Sequence, residues 1–290
     1  MQAADASTAP VAGTLYVVAT PIGNLGDMTH RALEVLGAVD GILAEDTRHS
    51  AGLLQHYGIA TPVRSYHEHS DEGLAGQLLE RLASGESLAL ISDAGTPLIA
   101  DPGYKLVSQA RARAIPVVPI PGSCALVAAL SVAGLPTDRF RFEGFLPAKA
   151  QARRKRLEQL QGESATLVFY ESPHRIEEAL EALAQVLGSE RRAVLARELT
   201  KRFESVLDGD LADLYERVQT DRNQRRGELV IIVAGCESEQ SLDEREADRV
   251  LRILLEALPA SQAAALAAQI TGQRKKALYQ RALGLKPPAN

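Results

Sequence analysis

The sequence predicts an α/β protein of two domains, the first on a mainly parallel sheet and the second on a mixed sheet, with a small C-terminal helical extension. Three patterns carry that expectation. Short apolar, β-branched runs alternate with helix-period segments up to about residue 120, the rhythm of a parallel sheet with helices on both faces. From Phe140 the strands follow one another more closely, as in a mixed sheet. After Gly235 the composition turns to Gln, Glu, Ser and Asp, and then to an Ala/Leu-rich remainder that reads as wholly helical.

Leu15–Ala19 is the first strand, with a helix from about Thr29. Gly41–Ala44 precedes a helix from about Thr47, and Val63–Tyr66 one from about Asp71. Leu88–Ile91 and Val117–Ile120 each lead into a further helix. The second set runs Phe140–Leu146, a basic helix, Thr166–Tyr170, another helix, then Ala193–Ala196, Ser205–Leu207 and Leu229–Ala234. Leu135-Pro136-Thr137-Asp138 reads as the end of a hinge region. The expected domains are residues 13–121, 122–236 and 239–290.

The chain of 290 residues is long enough to bury one large or two medium cores, and its 46% hydrophobic and 24% charged residues are ordinary for a soluble globular protein. Nothing resembles a membrane span, and Met1–Ala12 reads as a loose tail, not a signal peptide. Cys124 and Cys236 lie far apart, without disulfide or metal spacing, and the expected compartment is the cytoplasm. A net charge of −5 gives no global basic field. The distribution is uneven: residues 260–290 hold Arg274, Lys275, Lys276, Arg281 and Lys286 with no Asp or Glu, and Lys149, Arg153, Arg154, Lys155 and Arg156 form a second basic cluster. Such clusters are commonly solvated helix faces; two of them on an acidic chain point toward a polyanionic partner.

The segment Leu88–Gly103 says most about function. Its apolar run ends in small, turn-forming residues, and Asp101-Pro102 fits a helix N-cap followed by proline at the first helical position. Gly95 and Gly103 let the backbone approach another group closely, and ligands in open α/β folds sit beyond the carboxyl ends of strands. Three other strand ends have similar character. Thr20–Asp27 is a rigid turn with proline and two glycines. Ala44–His49 sets adjacent carboxylates beside Arg and His, for acid–base work or as a plain cap in Asp46 with Arg48 as its ion partner. Pro119–Ala125 places small residues before a helix N-terminus. Neither Gly-x-Gly-x-x-Gly nor a Walker lysine loop occurs, nor a Gly-x-Ser-x-Gly elbow. His67 and His69 would share a strand face but lack a third ligand, so no metal is expected.

Taken in order, Pro21-Ile22-Gly23-Asn24, Glu45-Asp46-Thr47-Arg48, Ser92-Asp93-Ala94-Gly95-Thr96-Pro97 and Tyr170-Glu171-Ser172-Pro173-His174-Arg175 resemble the tetrapyrrole methylase superfamily. Within it they resemble the branch of bacterial 16S rRNA cytidine-2′-O-methyltransferases (RsmI-type). The resemblance runs from about Gly13 to Gly235 and extends to the branch's helical tail. It implies S-adenosyl-L-methionine as cofactor, held between the two domains by Pro21, Asp93, Ala94, Gly95, Ile99, Cys124 and Ala125 on one side and Tyr170, Glu171, Ala196 and Glu228 on the other. It also implies a homodimer and, as partner, 16S rRNA in the assembled small ribosomal subunit.

Methylating a ribose 2′-hydroxyl needs a base or an alkoxide-stabilising cation. Glu45, Asp46, Glu171 and Glu198 are candidate bases and Arg48 and Lys201 candidate cations, with Glu45 and Arg48 ranked first. Ser261–Ile270, the turn at Thr271-Gly272, and Gln273–Leu283 fit a helix-turn-helix whose second helix is basic, or else a capping hairpin. Lys149, Arg153, Arg154, Arg274, Lys275 and Lys276 are the expected RNA-binding residues. The alternatives are a porphyrinoid methyltransferase of the same superfamily and a non-catalytic ribosome-binding protein.

Overall fold

A computed structural model describes residues 10–67, 72–236 and 242–285. Glu68 and His69 of the His-containing stretch lie outside the described residues, as do Asp71 and Lys286. Contacts divide the chain into two compact units, residues 1–235 and 236–290.

The first unit holds two sheets. β1 (Leu15–Val18), β2 (Gly41–Ala44), β3 (Val63–Ser65), β4 (Leu88–Leu90) and β5 (Val117–Ile120) form a wholly parallel sheet in the order β3-β2-β4-β1-β5. The helices between them are α1 (His30–Ala38), α2 (Thr47–His56), α3 (Glu72–Ala83) and α4 (Tyr104–Ala112). Alternation along β1 shows why the sheet needs both layers. Tyr16 and Val18 pack with Ala32, Val35 and Leu36 of α1, whereas Leu15 packs with Leu78, Leu79 and Leu82 of α3 and Leu106 of α4. Because β4, β1 and β5 are neighbours, their carboxyl-terminal loops emerge side by side.

β6 (Phe140–Phe145), β7 (Thr166–Glu171), β8 (Arg192–Arg197), β9 (Ser205–Asp210) and β10 (Leu229–Val233) form the second sheet, ordered β6-β7-β10-β8-β9. The β6–β7 pair is parallel and the others antiparallel, so the sheet is mixed, as its strand spacing predicts. One face carries Phe169, Leu195 and Ile231 against α6 (Ala150–Leu160), α7 (Ile176–Leu187) and α8 (Leu211–Thr220). The other face carries Val168, Val194 and Val230 against α5 (Ala125–Val132), and Ile22, from the loop after β1, joins that layer. A residue of the first sheet's loops is thus packed into the second sheet's core.

The second unit consists of α9 (Leu242–Leu255), α10 (Ala260–Thr271) and α11 (Lys275–Leu285) around Val250, Leu251, Ala263, Ala264, Ala267 and Leu278. Gly272 ends α10 in the left-handed region at φ 72°, which the sequence's Thr271-Gly272 turn anticipates. Arg281 pairs with Asp248 at 2.8 Å, while Arg274, Lys275 and Lys276 stand exposed where α11 begins.

Two expectations need correction. Asp101 does not cap a helix: α4 starts at Tyr104, behind a Gly103 N-cap at φ 129°. A Cβ at Gly103 would lie 2.8 Å from Leu90 Cδ2, so its close approach is to the core and not to a ligand. Arg153 is not a surface cation. It is 5% exposed, turned inward on α6, and holds Glu178 at 2.9 Å, so of that cluster Lys149, Arg154 and Lys155 remain fully on the surface. Phe169 is fully buried between the sheet and α7. Phe169→Ala is expected to cost about 3–5 kcal/mol, read as a lowered urea midpoint at unchanged m-value.

Candidate active site

The loops after β1, β4 and β5 are tied into one surface by hydrogen bonds among themselves. Thr20 and Gly95 exchange backbone bonds, Thr20 N–H to Gly95 O at 2.9 Å and Gly95 N–H to Thr20 O at 3.1 Å. The Thr20 hydroxyl donates to Ser92 O at 3.2 Å, and the Thr96 hydroxyl donates to Ser123 O at 2.9 Å. Gly95 sits at φ 86°, and a Cβ there would meet Ile22 Cγ2 at 3.2 Å.

Across from this surface lie the ends of β7, β8 and β10, and the two enclose a cavity of about 320 Å³. That is within the range of small-molecule sites. Its walls include Ala94, Gly95, Ile99, Cys124, Ala125, Tyr170, Glu171 and Glu228, eight of the positions the resemblance implies. Pro21 and Asp93 line a second cavity of about 380 Å³, which shares Ile22, Ala94 and Glu228 with the first. Ala196 reaches neither: it is fully buried in β8, paired with Val230.

Tyr170 bridges the two sides. Its hydroxyl accepts from Leu126 N–H at 2.9 Å, at the N-terminus of α5, and bonds the Cys124 side chain. Burial pushes its ionisation well above the usual phenol range, and its ring stands edge-on to Phe142 at 4.8 Å. Glu171 is buried, with burial raising its pKa. It accepts from Ser172 N–H at 2.9 Å and faces Arg175 at 3.4 Å.

Asp101, assigned no role at the site from sequence, also lines the first cavity. Burial first, then the charges of Glu45 and Asp93, push its carboxyl up to about 6, against a hydrogen bond from Ser92. Glu45 belongs to this acidic group and lines neither cavity. Asp46 is the N-cap of α2, accepting from Arg48 N–H at 2.8 Å and His49 N–H at 3.4 Å. Arg48 points outward with its side chain 95% exposed. The plain cap reading of Ala44–His49 therefore describes Asp46 and Arg48.

Lys201 has a different setting. Its Nζ lies 2.9 Å from Glu198 Oε1 and 3.0 Å from Glu228 Oε2, and these bonds hold its pKa up against the opposing effect of burial. Its stem lies against Gly23, where a Cβ would fall 2.3 Å from Lys201 Cε. A first-sheet loop thus makes room for a second-sheet cation, and Lys201 faces the second cavity. Two short loops share an unusual backbone: Leu98 and Ala100 flank Ile99 at φ 72° and 66°, and Glu198 and Thr200 flank Leu199 at 52° and 67°. Ile99 and Leu199 both line the first cavity. Non-glycine residues held left-handed cost on the order of 1–3 kcal/mol each and cluster at functional sites.

Among the described residues no group of His, Cys, Asp and Glu is placed to hold a metal, and no helix is long and apolar enough to cross a membrane.

The profile of Tetrapyrrole (Corrin/Porphyrin) Methylases matches residues 14–215, which takes in the whole first sheet, β6 to β9 of the second, and every cavity-lining loop up to Lys201. The chain belongs to the tetrapyrrole methylase family. The RsmI C-terminal HTH domain matches residues 241–286. The chain is 60% identical over 275 residues to a Pseudomonas aeruginosa protein named Ribosomal RNA small subunit methyltransferase I, covering 94% of this chain and 97% of that one. A protein of the same name from Escherichia coli O157:H7 is 52% identical, with 93% and 95% covered. The methyltransferase CobJ superposes with TM-score 0.57 at 19% identity, covering 79% of this chain and 97% of the other. Thermus thermophilus uroporphyrin-III-C-methyltransferase superposes at 0.55 and 21%, covering 77% and 94%. These two likenesses speak to the fold of this methylase alone.

Asp101 gives a pH test. Its ordinary value is 3.8 and its folded value about 6, so between them the folded chain holds a proton that the unfolded chain releases. Stability drawn from this group therefore falls as pH rises through that window. Urea midpoints of Asp101→Asn should gain on wild type between about pH 4 and pH 7. A constant offset would show that Asp101 titrates normally. Lys201→Met, which keeps the stem against Gly23 and removes the ammonium, should lower methyl transfer about tenfold or more with little change in global stability, as judged by single-turnover assay and urea midpoint.

Proposed function

We propose that this protein transfers a methyl group from S-adenosyl-L-methionine to the ribose 2′-hydroxyl of a cytidine in 16S rRNA, in the assembled small ribosomal subunit. What carries the reading is the first cavity, apolar-walled and joined to a second one, in a chain whose relatives are named Ribosomal RNA small subunit methyltransferase I. The charged residues of the first cavity, Asp101, Glu171 and Glu228, are all acidic. Such a lining repels phosphate-bearing cofactors and suits a cationic ligand with an apolar body, which fits a sulfonium donor.

When bound, the donor supplies an electrophilic methyl carbon. Ala94, Gly95, Ile99 and Leu199 form the apolar walls against it, Tyr170 fixes α5 beside it, and Asp101, Glu171 and Glu228 supply the compensating charge. In-line attack of the oxygen on the methyl carbon would form O–C as S–C breaks, with the hydroxyl proton passing to solvent water. Holding both partners in near-attack geometry accounts for roughly 7–11 kcal/mol in such reactions. Lys201, fixed by Glu198 and Glu228, is the cation that meets developing charge on oxygen. Among the candidate cations it has this position; Arg48 does not. Arg274, Lys275 and Lys276, with Lys149 and Arg154, supply sequence-independent phosphate contacts. The active form is taken as a homodimer in the cytoplasm, supported by the family resemblance.

Small subunits from a strain deleted for this gene, incubated with labelled donor, should acquire a 2′-O-methyl cytidine in 16S rRNA that reverse-transcription mapping detects. Label on a uroporphyrinogen-type substrate, with none on the subunit, would favour the porphyrinoid alternative. Replacing Arg274, Lys275 and Lys276 together by Glu should weaken methylation at least about tenfold, with a flatter salt dependence. Donor affinity by calorimetry should stay unchanged.

A further inference from the structure

The second sheet carries a surface assembled from two segments that lie far apart in the chain. We propose that residues 198–204 and 221–228 form a platform for the rRNA strand that flanks the methylated nucleotide. One base of that strand stacks on Phe203, and Arg202, Arg222 and Arg226 meet its phosphates. The proposal rests on the rRNA 2′-O-methylation reading and names the part of the protein that holds the flanking strand.

Three observations carry it. The first is placement. β7 and β8 both run antiparallel to β10, so the loop after β8 and the segment entering β10 emerge at the cavity end of the sheet. Glu198 N–H donates to Glu228 O at 2.9 Å, and Lys201 Nζ bridges the two carboxylates. Gly227 packs so closely on the Glu198 side chain that a Cβ has no room there. Arg202 directly follows Lys201 and Arg226 directly precedes Gly227, so both belong to this junction.

The second observation is an uneven pairing of charge. Every carboxylate of the two segments is occupied. Glu204 accepts from Thr200 N–H at 2.6 Å, Asp221 from Asn223 N–H at 2.9 Å, and Glu198 and Glu228 from Lys201. Arg225 is paired as well, with Glu177 at 2.6 Å. Arg202, Arg222 and Arg226 are exposed and have no carboxylate partner among the described residues. A guanidinium with its donors uncommitted is suited to a phosphate, which it meets with two parallel hydrogen bonds.

The third observation is an exposed ring on a fixed support. Phe203 is 64% exposed in the turn between β8 and β9. Its carbonyl accepts from Arg197 Nη2 at 2.9 Å, and the Arg202 guanidinium lies 5.5 Å from its ring centroid. Glu204 N–H closes the turn on Lys201 O at 3.1 Å. A phenyl ring standing in water beside a cation buries little, yet it seats a base well, since every base offers a π face. Surfaces that hold single strands combine such rings with backbone-tracking cations. An apolar protein partner would use the ring and leave the three arginines without purpose. Lys201, two residues before Phe203, faces the second cavity, so the platform adjoins the cation assigned to the acceptor oxygen.

Phe203 can be changed without touching the core. Phe203→Ala should raise KM for small subunits about fivefold or more with kcat little changed. Donor affinity by calorimetry and the urea midpoint should match wild type. Phe203→Tyr, which keeps the π face, should hold KM within about twofold of wild type, whereas Phe203→Leu should resemble the alanine variant. Arg222→Gln combined with Arg226→Gln should flatten the salt dependence of subunit binding by about one to two units of log–log slope. Wild-type kinetics in Phe203→Ala, or equal losses in the Ala, Leu and Tyr variants, would overturn stacking on Phe203. Full retention in Phe203→Leu would overturn it in favour of an apolar protein contact, and an unchanged salt slope would overturn the phosphate contacts. Each of these leaves the rRNA reading intact. A wild-type protein that places no methyl group on rRNA ribose would overturn both.

Discussion

The reciprocal backbone pair between Thr20 and Gly95 is the constraint on which the rest of the site depends. Parallel strands end with their loops free to diverge, since nothing in the ladder continues beyond the last pair. Here β1 and β4 stay joined past their ends, and the Thr96–Ser123 bond adds the loop after β5. Three loops that might have moved separately become one surface. That surface places Ile22 in the second sheet's core and Ala94 between the two cavities. Small residues are needed because space is short: Gly122 stands where a Cβ would lie 2.9 Å from that of Ala19.

The opposite side is organised by charge. Glu198 Oε1 accepts from both Lys201 Nζ and Glu228 N–H, each at 2.9 Å, and so fixes the ammonium relative to β10. Bonds to two carboxylates keep the amine protonated, which suits it to stabilise negative charge and not to remove a proton. On the first sheet's side burial, reinforced by the charges of Glu45 and Asp93, creates the reverse condition and shifts the Asp101 carboxyl toward neutrality. The shared wall thus separates a cation held charged from a carboxyl shifted toward neutrality.

The architecture was legible because it rests on periodicity. The parallel order of strands, the mixed second sheet and the Gly272 turn all follow from local patterns of apolar and turn-forming residues. The loops that close the cavity were legible through motifs, which named Ala94, Gly95, Cys124 and Tyr170. What sequence could not supply was direction. Arg153 and Arg154 are neighbours on one helix, yet one is buried on Glu178 and the other exposed, a difference set by helix phase against α7. Asp101-Pro102 has the form of a cap, but the left-handed turns at Leu98 and Ala100 delay the helix and turn the carboxylate to the cavity. No propensity scale anticipates non-glycine residues in that region.

The paired loops around Ile99 and Leu199 have a consequence for how this scaffold can diversify. Positions 98, 100, 198 and 200 are bound to a left-handed backbone that proline cannot adopt and that other side chains take up only at a cost, so drift there is narrow. Positions 99 and 199, held between them, are free of that restriction and differ in reach by the side chain alone. Lengthening or trimming these two residues resizes the chamber without moving its frame. A lineage could retune ligand shape here by single substitutions while every supporting hydrogen bond stays in place.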